Sequence, residues 1–492
     1  MKTNLSFRTS IFALTALAVV LIFGCSKKQA PQPSTFVSAE KTSFDEVTSQ
    51  LDPGGNFYMY LGTAQWLENL SAKTEHWRDA AVSMPGLTDE RREKINQAFN
   101  VLDHVIQDSG IQDLSGVGAS SIEIEPGLYR NKAVLHHYSD RGNGFLWQLC
   151  GKTAHPLEGL DLLPGDTALA LFADADLPLL WTVAQREAAN SGISGAQEQL
   201  QKLPVQFESK TGIKWDQFLH SLGGEFGLVL TLDASNSITI PYPPSNPTQI
   251  PAPGLMLVVK VNDDTIFNRI DEALKDKPMV AAVDKPDFKM RTMPVPLPLP
   301  IQLRPSAASS AGYLFIASSD DLIEHALAVK NGKEAGIKSA DEFKRLSQNI
   351  PGQGNQFCYV SSLFGQTIAD IQKQALSASP QRPARAQWLQ SLFQNHAAFA
   401  YSVGINTSQG CVTAGNSSQS YAQVALLPAV VVPAALAGIA VPNFIKARGA
   451  SQRNACINNL RQIEAAKGEW ALENNKTNGD MPTKQDLMFY LR

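Results

Sequence analysis

Leu163-Pro-Gly-Asp-Thr-Ala-Leu-Ala-Leu-Phe-Ala173 is a turn followed by an apolar run of strand length, and the chain writes the same phrase twice more. Leu51-Asp-Pro-Gly-Gly-Asn-Phe-Tyr-Met-Tyr-Leu61 precedes it, and Ile350-Pro-Gly-Gln-Gly-Asn-Gln-Phe-Cys-Tyr-Val360 follows. Pro and Gly set the turn geometry, while the aromatic and aliphatic residues behind them favour an extended, buried backbone. Self-similarity at wide spacing marks a repeated structural unit, so each phrase is expected to open one. A helical stretch follows each copy, Thr63 to Leu70, Leu177 to Ala189 and Leu363 to Leu376.

Strand pairs close the units. Ser120 to Glu125 and Lys132 to Ser139 are joined by Pro126-Gly127; Glu225 to Asp233 and Leu255 to Asn262 are separated by a loop from Pro241 too rich in proline for a sheet interior; Ala397 to Ile405 and Gly410 to Asn416 flank a hairpin turn. The middle unit adds a helix from Asp263 to Leu274, a strand near Phe288 to Met293, a proline tract from Pro294 to Pro305 and a strand-helix pair from Gly312 to Lys330. The expected fold is α+β, with repeated antiparallel β-meanders carrying helices on one face. Its expected segments are 1–25 (signal), 26–40 (tether), 41–160, 161–345 and 346–420 (three α+β units), and 421–492 (a terminal apolar and amphipathic helical segment).

The 492 residues are 43% hydrophobic, enough to bury a large core, and their net charge of −4 lacks the basic footprint of a nucleic-acid binder. Five cysteines, Cys25, Cys150, Cys358, Cys411 and Cys456, form no C-x-x-C pair and so no zinc or redox motif.

At the amino terminus Lys2 and Arg8 precede an uncharged apolar run from Ile11 to Phe23, the pattern of a secretory signal. Ile22-Phe23-Gly24-Cys25 resembles the lipobox of bacterial lipoproteins, which implies a diacylglyceryl thioether and an N-acyl group on Cys25 after cleavage. The polar, proline-rich residues 26 to 40 then suit a flexible tether, placing the main part of the chain on the periplasmic side, anchored to a membrane of the cell envelope. With the Leu-Pro-Gly-Asp-Thr start at Leu163 and Gly223-Gly224, the lipobox resembles a family of exported bacterial proteins known only as a domain of unknown function. That resemblance implies no activity.

From Ala386 to Ile445 there is no Asp, Glu, Lys or Arg, and Val424 to Val441 is apolar throughout. Such a run is a membrane-helix candidate, although Pro428, Pro433 and Pro442 equally suit a buried core segment. Leu436 to Arg448 and Ser451 to Ile463, continuing through Ala465 to Asn475, closely resemble the first helix of type IV pilins and type II secretion pseudopilins. Ser418 to Val424 departs from that pattern, since it lacks the basic leader, the cleavage-site glycine and the glutamate. The positive residues Lys446, Arg448 and Arg453 also favour the orientation opposite to a pilin's. Thr483 followed by Asp486 has the spacing of a capping box opening a last short helix.

Catalytic motifs are refused. Gly144 through Gly151-Lys152-Thr153 lacks the glycine spacing of a phosphate loop, and Ser38-Ala-Glu-Lys41 has the Ser-x-x-Lys spacing of penicillin-binding enzymes but no partner motif. His136 and His137 lie in one strand, so they point to opposite faces and cannot share a metal; one is expected exposed and the other packed. Asp174 and Asp176, like Asp320 and Asp321, fall at helix starts, where carboxylates satisfy free amides. No catalytic, metal or cofactor-binding residue is assigned and no cofactor is implied; the one modified position is Cys25. The expected function is a non-catalytic structural or interaction role in the envelope, with a link to a pilus or type II secretion-like system and with envelope proteins as partners. The alternative is a carrier for an apolar ligand on a concave sheet lined by Leu228, Leu230, Leu257 and Val259.

Overall fold

The computed structural model describes residues 42–193, 195–240, 248–295, 303–377, 398–423, 464–474, 481–488 and 490. Cys25, the tether, the Ser38–Lys41 spacing, Cys456 and the apolar run Val424–Val441 lie outside them. The chain divides into two compact units, 36–422 and a second formed by residues 1–35 with 423–492.

In the larger unit each Pro-Gly phrase runs into a strand: β1 (Phe57–Gly62), β5 (Thr167–Asp174) and β13 (Gln356–Val360). Two more strands complete each repeat after intervening helices, β2 (Leu114–Glu125) and β3 (Leu128–His137), β6 (Leu222–Ile240) and β7 (Thr248–Val261), β14 (Ala400–Thr407) and β15 (Gly410–Ser417). The middle repeat continues through β8 (Ala281–Lys285), β9 (Phe288–Thr292), β10 (Ser306–Ser310) and β11 (Tyr313–Ala317). A separate two-stranded pair joins β4 (His155–Pro156) to β12 (Gln353–Gly354). Among the described residues the other strands form one antiparallel sheet of 13, in the order β1-β2-β3-β15-β14-β13-β5-β6-β7-β11-β10-β9-β8.

The order shows how the repeats join. Each phrase strand pairs with the second strand of its own repeat, and the third repeat is inserted between the first and second. One junction pairs third strands, β3 with β15; the other pairs first strands, β13 with β5. At the latter Cys358 faces Leu171, and each is the ninth residue of its phrase. Equivalent positions that face each other across antiparallel strands lie on a local two-fold axis.

One face of the sheet holds the main core. Ala170 and Phe172, Val229, Met256 and Val258, Tyr313 and Phe315, Phe357 and Tyr359, Tyr401 and Val403 alternate inward along their strands, as period-two patterning requires. The helices Asp320–Lys330 and Asp341–Leu346 cover them with Leu322, Ile323, Phe343 and Leu346. At the far end of this face Val47 of the helix Phe44–Thr48 packs on Val134 with Tyr60 and Val412. Gly116 and Gly118 permit that approach: a Cβ at Gly116 would stand 2.4 Å from Ser43 Oγ, and one at Gly118 would stand 2.4 Å from Val47 Cγ1. These glycines lie inside β2, so the strand starts six residues before the expected Ser120.

Helices are not confined to one face, which corrects the sequence expectation. Leu314 and Val259 point away from the main core and are covered by Phe267 of the helix Thr265–Leu274. The alternation that buries Phe315 on one side leaves Leu314 needing cover on the other. The middle hairpin is also longer than expected: Pro251 and Pro253 belong to β7, paired with Ser237 and Leu232. There β7 extends beyond the stretch Met256–Lys260 that pairs with β11, so an N–H missing on that outer edge costs no ladder bond. The helices Leu70–Val82 and Asp89–Ser109 are additions that phrase matching does not reveal.

In the smaller unit residues 464–473 are helical, and Tyr490 Oη donates to Glu473 Oε2 at 2.7 Å. The capping box forms as its spacing predicts: Thr483 N donates to Asp486 Oδ2 at 2.8 Å and Asp486 N to Thr483 Oγ1 at 3.4 Å. Among the described residues no helix is long and apolar enough to cross a membrane.

Candidate functional site

Two features meet where β5, β6, β7 and β13 lie side by side: a polar cluster at one end of the core face, and an apolar groove on the opposite face.

The polar cluster grows from the ends of β5 and β6. Asp174 closes β5, and His155 approaches it from β4, with Nε2 3.0 and 3.1 Å from the two carboxylate oxygens. His155 Nδ1 lies 2.9 Å from the Pro156 carbonyl. Both ring nitrogens thus face acceptors that cannot donate, so the arrangement favours the imidazolium, with both N–H groups engaged. Burial pulls the His155 pKa down, but the Asp174 hydrogen bond, the Pro156 carbonyl and the neighbouring carboxylates outweigh it and leave it raised. An imidazole held this way has no free nitrogen with which to take a substrate's proton.

Asn355 completes the arrangement. Its Nδ2 donates to Asp174 Oδ2 at 3.0 Å and to the Thr153 carbonyl at 2.9 Å, while its Oδ1 accepts from Asn406 N at 2.9 Å. Asn406 in turn donates to the carbonyls of Cys150 and Gly151. The asparagine of the third phrase therefore ties all three repeats together through one side chain, with every polar atom satisfied.

Beside it Glu225 is buried at the start of β6, 3.3 Å from Tyr313 Oη and 3.9 Å from Lys260 Nζ. Burial raises its pKa against the opposing pull of Lys260 and His155. Tyr313 also reaches Glu158, and burial followed by the Glu225 and Glu158 charges pushes its phenol far up. Cys150 is exposed, yet burial of its sulfur and then the Asp174 charge raise the thiol, the reverse of what activates a nucleophile. The cluster can hold charge and lock geometry. Its thiol, Cys150, is raised and so not activated as a thiolate.

The apolar groove is built by register. Ile316, Leu257, Leu228, Leu171 and Cys358 face one another in turn across β11, β7, β6, β5 and β13. The four aliphatic residues are between 37% and 43% exposed, a continuous apolar row left open to solvent. The groove of about 430 Å³ is bordered by Phe226, Gln356, Ser402 and Thr413. Beneath it the rings of Phe172 and Phe357 stack with centroids 4.8 Å apart.

The sequence-assigned positions distribute unevenly. Leu228 and Leu257 do line the open groove, whereas Val259 is buried under Phe267. His136 and His137 are both buried, contrary to the expectation that one is exposed. His136 shares a 2.7 Å hydrogen bond with Ser115, and burial lowers its pKa; His137 packs on Trp147 of the helix Phe145–Leu149, which covers the second face. Asp176 caps its helix as expected, accepting from Leu179 N at 2.8 Å, but Asp174 is no cap. Ser319 rather than Asp320 caps the helix Asp320–Lys330, and Asp320 pairs with Arg304 instead. Among the described residues no three His, Cys, Asp or Glu side chains converge as a metal site. Sequence reading missed the His155, Glu225 and Asn355 cluster; only the Asn in the third phrase was a visible sign. Compared with known proteins, the chain matches no protein family, no curated protein and no solved structure.

The imidazolium has a pH signature. Because the folded pKa of His155 is raised, its contribution to stability is fully present below the unfolded value of about 6.5 and is lost as pH rises through the folded value. His155→Gln is expected to cost about 1 kcal/mol at pH 5.5, a value discounted for the ring's partial exposure, and much less at pH 8.5. Urea unfolding of both proteins at the two pH values measures this; an equal loss at both would show that the ring is neutral.

Proposed function

We propose that this chain is a non-catalytic lipoprotein of the cell envelope whose broad sheet serves as a docking surface for an envelope protein. The observation that carries the reading is the open row Ile316, Leu257, Leu228 and Leu171, in register across four adjacent strands and continued by Cys358 on a fifth. A monomer rarely leaves such a row uncovered. Its length across five strands is about 19 Å, which matches about 13 residues of helix, so the partner is an amphipathic helix laying its apolar face across the strands. Supporting this, the polar cluster locks the repeats that carry the row. The lipobox-like Ile22–Cys25 supplies the envelope address.

The test is a photo-crosslinking side chain at Leu257 in intact envelopes, with Val205 on the exposed helix Ala196–Thr211 as control. The expected result is one discrete protein adduct from Leu257 that Leu171→Glu abolishes, and none from Val205. An adduct with lipid alone would favour the second reading, a carrier for an apolar ligand, to which the 430 Å³ groove is also suited in size. No adduct at Leu257 would remove both.

A further inference from the structure

The sheet ends on two unlike edges. The β8 edge, Ala281-Ala-Val-Asp-Lys285, carries Asp284 and Lys285, charges of the kind that discourage another strand from adding on. The β1 edge, Phe57-Tyr-Met-Tyr-Leu-Gly62, has no charge and no proline. Tyr58, Met59 and Leu61 are exposed there, and Phe44, whose ring packs edge-on against Tyr60, and Trp66, four residues after the strand, add two more large exposed rings. Among the described residues β1 has a ladder only with β2, so its outward amides and carbonyls form an open edge.

The repeat says what belongs on that edge. β1 is the first strand of its repeat, and the other two first strands, β5 and β13, pair with each other about a local two-fold through Leu171 and Cys358. In the phrases the position matching Leu171 and Cys358 is Met59, the ninth residue of each. All three lie on the same sheet face: Met59 reaches Gln356 through successive partners Ala119, Ala133, Thr413 and Gly404, and Gln356 shares its side of β13 with Cys358.

We propose that β1 pairs antiparallel with β1 of a second copy of this chain, with Met59 opposite Met59 and Phe57 opposite Leu61, repeating between molecules the junction that β5 and β13 form within one. The contact is isologous, so it closes at a dimer, and it brings the exposed rings of Phe44, Tyr58 and Trp66 from both copies to one seam. The two open grooves then face the same way.

The experiment uses the full chain in isolated membranes. Met59→Cys under mild oxidation is expected to give a disulfide-linked dimer well above the wild-type background from native cysteines, whereas Val283→Cys on the β8 edge gives none. Met59→Lys and Met59→Glu, each alone, should cut the dimer population at least tenfold by setting like charges opposite each other, and the two co-expressed should restore it as a heterodimer. Met59 is 39% exposed, so an unchanged melting transition in each variant confirms that the fold survives. No cross-link above background at Met59, or a Met59→Lys chain that dimerises as the wild type does, overturns the proposal.

Discussion

Phe315→Ala is expected to lower unfolding stability by about 3–5 kcal/mol, the range for truncating a large, fully buried aromatic side chain. Phe315 has no exposed surface and sits on β11 between Val258 of β7 and Ala308 of β10. Ile323 and Ala326 of the helix Asp320–Lys330 belong to the same cluster. A sheet strand and a covering helix cannot both close on the vacated volume, because each is held by its own hydrogen bonds, so most of the cavity persists. Leu257 is the control: it neighbours Val258 in sequence but points to the open groove, and Leu257→Ala should cost only about 1–2 kcal/mol because the side chain is partly exposed and leaves no closed cavity. Urea midpoints of the two variants measure the contrast. Equal losses would mean that the groove is covered in solution.

The same alternation explains what the sequence disclosed about the fold. Local signals were legible: the Pro-Gly phrases begin strands, the expected Asn406–Gln409 turn holds the hairpin junction although only Ser408-Gln409 lies outside the paired strands, and Thr483 with Asp486 caps a helix. These depend on residues a few positions apart. β10 was hidden because its Ser-Ala-Ala-Ser-Ser sequence has no apolar alternation and follows a proline tract. The helix Asp89–Ser109 has a readable start and stop, with Thr88 accepting from Arg91 N and Gly110 in the left-handed conformation at φ 74°, but it belongs to no repeated phrase. The order of the repeats is of another kind. Nothing near β13 indicates that it will pair with β5, almost two hundred residues away, because that choice depends on matching two faces and two edges at once. The polar cluster is equally nonlocal: His155, Asp174, Asn355 and Asn406 come from separate elements, and each alone reads as an ordinary polar residue near a turn.

Cys25→Ser is expected to abolish fatty-acid labelling of the chain completely, the largest effect of any substitution considered. The motivation is the uncharged run Ile11–Phe23 ending at Gly24-Cys25, followed at once by a polar tether. Modification of this kind requires a cysteine at the edge of an exported apolar segment. Cys150, Cys358 and Cys411 do not meet that condition, since they belong to the folded repeats and burial raises all three thiols. Cys456 does follow an apolar run, but fifteen residues beyond Val441 and after Lys446, Arg448 and Arg453. With about 0.8 kcal/mol per buried methylene, one acyl chain gives marginal anchoring and two or more give a stable anchor, so losing all of them changes membrane partition by orders of magnitude. Truncation after Gln419 removes the apolar run Val424–Val441 and isolates the contribution of Cys25: the truncated chain with Cys25 intact should stay membrane-bound, and the same truncation carrying Cys25→Ser should be released. Labelling of Cys25→Ser equal to the wild type would remove the lipoprotein assignment, and with it the membrane address on which the proposed docking role rests.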